Sequence, residues 1–485
     1  MSATHGLCID GDHLTGGGRE TLPVVNPATG QAGAAMVCAT TDDLDAAAEA
    51  ARRAHADWSR SAPSDRAALL RAMADRVDAS LETIARLITT EQGKPLAEAV
   101  DELNGVAANL RYHAGVAETF PFHTVVSGPA ERHIFETGKG PVLIINTWNF
   151  PVETVVSHMA PSLAAGCPSV VLANGDAPGS VCAFFHAISD IDMPRGLVNL
   201  VMGHAADISQ HLIGHPAIAH LSYTGSITVG RALAAQAGGE IKRATLELGG
   251  LAPALVLPGA DIDEAARAFG WKRFWNAGQI CTAPNRIYVN RDQYAPFVDA
   301  VAAYAESLVV GDGMDPATTM GPLASERRVA FMQHIVTDAL ARGARFVTGQ
   351  KEAGNRGFFW KPTVLADVPE DARGMREEVF GPVALVRPYD DLATVIATVN
   401  DCDIGLSAYV YGPDADEAFV VARRIEAGSV GVNQMTTAFP DTPFGGIKHS
   451  GMGTIGGPSA LREYLFPRSI AAPAGVIGHH GARGS

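Results

Sequence analysis

After Gly140 the chain changes rhythm, and the new rhythm leaves few folds open. Short apolar or β-branched runs at 142–146, 169–173, 197–202 and 219–223 alternate with segments long enough for one helix each, at 153–165, 180–189, 205–213 and 226–236. Each strand must then return through a right-handed crossover, which gives a parallel sheet with helices on both faces. Such sheets bind ligands at the carboxyl ends of their strands, so the residues that follow each run are the first to inspect. A second alternating region, with strands at 253–257 and 286–290, continues to about 430 and predicts a second α/β domain.

The N-terminal hundred residues read as packing helices. Thr41 is placed to cap a helix with Asp42 and Asp43 in its first turn. Leu70, Met73, Val77, Leu81, Ile84 and Ile88 then recur at steps of three and four, so 64–93 reads as one helix stopped by Gly93. The stretch 471–485, rich in Gly, Ala and His, reads as a loosely held tail.

Composition narrows the function classes. The 485 residues are 47% hydrophobic and 18% charged, enough to fill sizeable cores. A net charge of −15 excludes a nucleic-acid partner, which needs concentrated Lys and Arg. No run reaches the roughly 18 apolar residues of a membrane span, and 1–18 lacks the basic-then-apolar order of an export signal. Six scattered cysteines without a CxxC suit a reducing, cytoplasmic setting and supply no metal site.

Four positions at strand ends carry reactive groups. Asn146-Thr147-Trp148-Asn149-Phe150-Pro151 follows the 142–146 strand, and the Asn149 amide is a neutral donor suited to a developing oxyanion. Tyr223-Thr224-Gly225-Ser226, with Gly230 behind it, ends a strand and opens a helix whose free N–H groups suit a pyrophosphate, though the run is not GxGxxG. Leu246-Glu247-Leu248-Gly249-Gly250 sets a carboxylate between leucines, where desolvation makes a general base. Asn276-Ala277-Gly278-Gln279-Ile280-Cys281-Thr282 sets Cys281, alone among the six, in a glycine-containing polar turn where a thiolate can act as a nucleophile. Taken singly, each has a plainer explanation: a turn, a tight strand–helix junction, a solvated strand edge, an inert buried thiol.

In this order, and with 281 − 247 = 34 residues from glutamate to cysteine, the blocks resemble the aldehyde dehydrogenase superfamily. The resemblance runs from Asn26-Pro27-Ala28-Thr29-Gly30 to Pro443-Phe444-Gly445-Gly446-Ile447-Lys448-His449-Ser450-Gly451 and includes Glu377-Glu378-Val379-Phe380-Gly381-Pro382. It implies a Rossmann-like parallel-sheet cofactor domain (1–119 and 139–250) and a second α/β catalytic domain (251–447). A small β bridging arm and C-terminal tail (120–138 and 448–485) complete the implied division. It also implies oxidation of an aldehyde to an acid. Cys281 would form the thiohemiacetal and thioester, Asn149 and the Cys281 N–H would hold the oxyanion, and Glu247 would activate water. Ile145, Trp148, Gly225, Ser226 and Leu248 match positions that line NAD or NADP, Glu378 the ribose ligand, and Phe380 its neighbour.

The sequence departs from the family pattern at two places. Where a Lys and a Glu usually bind the adenosine ribose, this chain has Leu172 and Gly175, so the implied preference for NAD is slight and NADP stays open. In the succinate-semialdehyde and 2-oxoglutarate-semialdehyde branch, which the 91–99 and 433–451 blocks resemble most, two arginines meet the substrate carboxylate. Here Trp275 and Ser157 stand in their places. An unpaired desolvated carboxylate costs several kcal/mol, so the expected substrate is an uncharged aldehyde between Trp275, Phe274 and Phe439. A semialdehyde is the alternative substrate, and an esterase or a non-catalytic family member is the alternative function. By the same resemblance 120–138 and the stretch after Leu465 match the arm and the C-terminal strand that pairs across subunits, which implies a homodimer or homotetramer.

Overall fold

Five parallel strands form the centre of an eight-stranded sheet, in the spatial order Val198–Val201, Ser169–Leu172, Val142–Ile145, His220–Gly225, Arg243–Leu248. Every residue of Val142–Ile145 and Ser169–Leu172 is buried, as strands covered on both faces require. Numbered along the chain the order is 3-2-1-4-5. The winding therefore reverses between Val142–Ile145 and His220–Gly225, and a crevice opens where their following loops part. The computed structural model describes residues 3–350 and 357–473.

Helices α1 (Thr41–Trp58), α2 (Pro63–Ala79), α3 (Leu81–Gln92) and α4 (Leu96–Thr119) precede this sheet. The crossovers carry α5 (Pro151–Ala164), α6 (Pro178–Ala187), α7 (Ala205–Gly214) and α8 (Ile227–Gly239). A second sheet of seven strands is built on Pro253–Val256, Arg286–Asn290, Thr363–Ala366, Val383–Tyr389, Ser407–Tyr411 and Ser429–Val432, all parallel, with Arg345–Thr348 antiparallel at one edge. Helix α9 (Ile262–Phe274) leads from it into the loop that bears Cys281. One hydrophobic core gathers residues between Leu7 and Leu248 with Leu461, Tyr464 and Leu465, and a separate core gathers residues between Ala252 and Met435.

Several local expectations shift. The cap of α1 is Thr40 rather than Thr41. Its hydroxyl accepts from the Asp43 N–H at 3.3 Å while Asp43 accepts from the Thr40 N–H at 2.9 Å, a reciprocal pair that only this register allows. The 64–93 segment is two helices, because Ser80 leaves helical geometry at ψ 9°. Gly93, at φ +104°, does end the second one. Residues 448–464 do not join the arm: Gly451–Met452 pairs with Leu246 and Glu247 at the edge of the first sheet. The tail is held further than expected, since Leu465–Pro473 pairs along the whole of Ala130–Gly138, with His123–Val126 on the other side. The remainder of the tail, 474–485, lies outside the described residues.

Candidate active site

A cavity of about 770 Å³ opens between the two sheets at the reversal of strand order. Ile145, Trp148, Asn149, Gly225, Ser226, Glu247, Leu248, Cys281, Glu378 and Phe380 all line it, although they come from five separate stretches of chain. The strand ends supply Ile145, Gly225, Glu247 and Leu248, the segments just after them supply Trp148, Asn149 and Ser226, and loops beside the second sheet, after α9 and before Val383–Tyr389, supply Cys281, Glu378 and Phe380.

The two loops that face each other across this cavity are pinned by one buried network. After α9 the backbone folds back through Asn276 and Ala277, at φ +49° and +50°, conformations that cost about 1–3 kcal/mol each unless neighbours hold them. Gln92 donates to the Asn276 side-chain oxygen at 2.9 Å, and Glu98 accepts the Asn276 N–H at 2.8 Å. Lys94, wholly buried, donates to Glu102 at 2.7 Å and to the Asn149 carbonyl at 2.9 Å, and Asn276 donates to the same carbonyl at 3.0 Å. The Asn149 amide donates one N–H to the Gln279 carbonyl at 3.0 Å, which leaves its second N–H directed elsewhere. The fourth motif is thus tied to the first by side chains from α3, α4 and the turn between them.

Burial dominates the electrostatics. The Cys281 thiol is pushed up to about 12 by desolvation and then by the charges of Glu378 and Glu247, with Lys272 pulling the other way. The Glu247 carboxyl rises well above the usual range, through burial and then Glu463. Neither of its oxygens has a hydrogen-bond partner among the described residues. Glu378 is lifted by burial to about 7, against the Gly250 N–H at 3.2 Å and the cation of Arg328. Burial therefore favours the neutral thiol at Cys281 and raises the proton affinity of the Glu247 carboxylate.

The dinucleotide end fits the family's cofactor. Gly225 packs so closely on Tyr223 that no side chain fits there, since a Cβ would lie 2.1 Å from the Tyr223 hydroxyl. Trp148 and Phe380 meet edge to face at 5.5 Å, and the Arg328 guanidinium lies over both rings, at 5.4 and 4.9 Å. Leu172 also lines the cavity, whereas Gly175 turns toward Met36. A carboxylate does reach this end from the next residue, Asp176, raised by burial and offset by Arg327 and Arg328. Nothing in the linear pattern distinguished Asp176 or Arg328.

The other end is walled by Phe150, Trp271, Trp275, Ile280 and Phe439, with Ser157 also facing in. Phe274 does not contribute, contrary to the sequence expectation. It is 1% exposed and points into the second core, parallel to the Tyr304 ring at 6.5 Å. Two ionisable groups that sequence reasoning missed line this end, Glu153 on α5 and Lys272 on α9. Lys272, in the last turn of α9, lies 5.7 Å from the ring of Trp275, which caps that helix, a neighbourhood that was readable once Trp275 had been singled out.

The model of the aldehyde dehydrogenase family matches residues 14–470. A 4-(hydroxymethyl)benzenesulfonate dehydrogenase of Comamonas testosteroni is 38% identical over 95% of this chain and 96% of its own length. A succinate-semialdehyde dehydrogenase (NADP⁺) of Escherichia coli is 36% identical over 94% of this chain and 95% of its own. A solved NAD⁺ complex of an aldehyde dehydrogenase from Bacillus cereus superposes with a TM-score of 0.94 at 32% identity, covering 97% of each chain. With its cysteine, glutamate and asparagine gathered at the crevice of a Rossmann-type sheet, this chain belongs to the aldehyde dehydrogenase family, and it is an oxidoreductase that acts on an aldehyde with a nicotinamide dinucleotide.

Proposed function

We propose that Cys281 is the nucleophile, Asn149 the oxyanion donor and Glu247 the general base of this oxidation. The convergence of the three on one cavity from distant stretches of chain carries the reading. Glu247, buried without a partner and raised in pKa, is suited to take the thiol proton as Sγ bonds to the aldehyde carbon. The carbonyl oxygen gains charge in that step, and the free N–H of Asn149 stabilises it. The bound dinucleotide supplies the hydride acceptor. Glu247 gives up the thiol proton to solvent before deacylation, draws a new one from the water that attacks the thioester, and returns it to the departing Cys281 sulfur, which releases the acid and restores the thiol.

Glu378, held by the Gly250 N–H, is the ribose ligand of the nicotinamide half. Ile145, Trp148, Gly225, Ser226, Leu248 and Phe380 complete the cofactor groove. Asp176, one place beyond the expected glutamate, stands where a carboxylate would accept from a ribose hydroxyl and repel a 2′-phosphate, which favours NAD over NADP. Calorimetric titration with NAD⁺ and NADP⁺ tests this: tighter binding of NADP⁺ overturns the assignment of Asp176. The aromatic walls support an uncharged, ring-sized aldehyde. Reduction of the dinucleotide on mixing with an aldehyde panel tests the whole reading, and silence from folded protein across the panel refutes it.

The separate cores support the division into a cofactor domain and a catalytic domain. The arm sheet ends in two open edges and exposes Val125, Val126, Phe466 and Ile470, which supports assembly as a homodimer or homotetramer through that sheet. No helix among the described residues is long and apolar enough to cross a membrane, and all six cysteines are free, in keeping with a reducing cytoplasm.

A further inference from the structure

Glu153 and Lys272 make the substrate end unlike a plain aromatic pocket. Glu153 sits in the first turn of α5 and Lys272 in the last turn of α9, so they enter the cavity from different walls. Lys272 is only 8% exposed, yet its ammonium has no hydrogen bond and no ion pair among the described residues; the Trp271 and Trp275 ring centres lie 5.8 and 5.7 Å away. The Glu153 carboxylate is likewise without a hydrogen bond. The cation nearest to hand, Lys94, is committed to Glu102 and the Asn149 carbonyl, and Glu102 already accepts the N–H groups of Val152 and Glu153. The two charges feel each other but do not form an ion pair within 4.0 Å.

Glu153 is half-buried and Lys272 buried, and holding opposite charges this far from water without contact is unfavourable unless something in the cavity completes both. A hydrocarbon tail would leave both unpaired. A carboxylate would suit Lys272 and press against Glu153. A hydroxyl satisfies both at once, donating to the carboxylate and accepting from the ammonium. We propose that Glu153 and Lys272 are a specificity-determining pair that holds a hydroxyl group on the substrate, and that the substrate class is therefore a hydroxylated aromatic aldehyde lying against Phe150, Trp275 and Phe439. This rests on the dehydrogenase reading above and deepens it. It also revises the expectation from Trp275 and Ser157 that the substrate end lacks a cation.

The test compares kcat/KM, by dinucleotide reduction, for benzaldehyde, 3- and 4-hydroxybenzaldehyde and 4-formylbenzoate. The wild-type enzyme is expected to favour one hydroxybenzaldehyde over benzaldehyde by about 10- to 100-fold, the discrimination of a hydrogen bond to a charged group. Glu153→Leu and Lys272→Met should each reduce that ratio to within a few-fold, and Lys272→Arg should keep most of it. Using the ratio cancels any effect of Lys272 on the Cys281 thiol, and the wild-type panel decides even if a variant does not fold. Equal use of benzaldehyde and its hydroxy derivatives overturns the proposal. A preference for 4-formylbenzoate that Lys272→Met abolishes also overturns it, in favour of an anion held by Lys272 alone. Reduction with no aldehyde at all refutes the dehydrogenase reading itself, whereas reduction without preference refutes only the assignment of this pair.

Discussion

In the free enzyme Cys281 should alkylate slowly and with an unusual pH profile. Burial and the carboxylates of Glu378 and Glu247 push its thiol up to about 12, from the ordinary 9.0. At pH 8 an ordinary thiol is about one-tenth thiolate and Cys281 about one ten-thousandth, a ratio of about a thousand. Intrinsic nucleophilicity rises with pKa and returns a factor of about 15–30, so the net retardation is about 30- to 60-fold. The assay is iodoacetamide labelling followed by mass spectrometry of the Cys281 peptide, from pH 7 to 10.5. The rate should climb about tenfold per pH unit without levelling, where a free thiol levels near 9. Glu378→Gln removes the strongest carboxylate influence on the thiol and should shift the profile to lower pH. A wild-type plateau at or below pH 9, or a profile unmoved by both Glu378→Gln and Glu247→Gln, refutes the account of a neutral resting thiol.

Three further outcomes are expected. Asn149→Ala should lower kcat by about 10²–10³-fold, the usual loss for one oxyanion donor, in steady-state assays with a neutral aldehyde. Lys94→Met breaks a fully buried ion pair and strands Glu102, so thermal or denaturant unfolding should register about 3–5 kcal/mol of destabilisation, with activity lost alongside because Asn149 loses its tether. Burial raises Glu98 from 4.5 to about 8. The folded chain then keeps a proton that the unfolded chain has released, so stability falls between pH 4.5 and 8, by up to about 1.4 kcal/mol per pH unit from this group. Glu98→Gln preserves the acceptor for the Asn276 N–H, and it should flatten that part of the curve in urea titrations at successive pH values.

Much of the first sheet was legible because covered parallel strands need uninterrupted apolar runs, and 142–146 and 169–173 supply them within a residue or two of the observed strands. Glu247 and Asn149 could be singled out for a related reason, because strand-end loops are where such a sheet exposes reactive groups, whereas Cys281, in the loop after α9, stood out by its glycine-containing polar turn and its spacing from Glu247. The division of 64–93 at Ser80 was not legible, because the apolar spacing of three and four continues across the break. The strand at Leu465–Pro473 was legible only through the family resemblance and not from its own pattern, since a mostly exposed sequence becomes a strand only through its partner at Ala130–Gly138.

Sequence alone determined the parallel α/β architecture and the family, and it singled out the three residues proposed for the chemistry, because these rest on local periodicity and on short blocks whose order survives in one dimension. Which neighbouring side chain faces the substrate was decided only in three dimensions. Phe274 and Trp275 are adjacent in sequence, yet helix α9 and the left-handed turn after it send one into the second core and the other into the cavity, together with Lys272. Charge balance was likewise tertiary. Lys94 could answer Glu153 by composition, but its commitment to Glu102 and Asn149 leaves the half-buried Glu153 and the buried Lys272 as two charges facing one cavity.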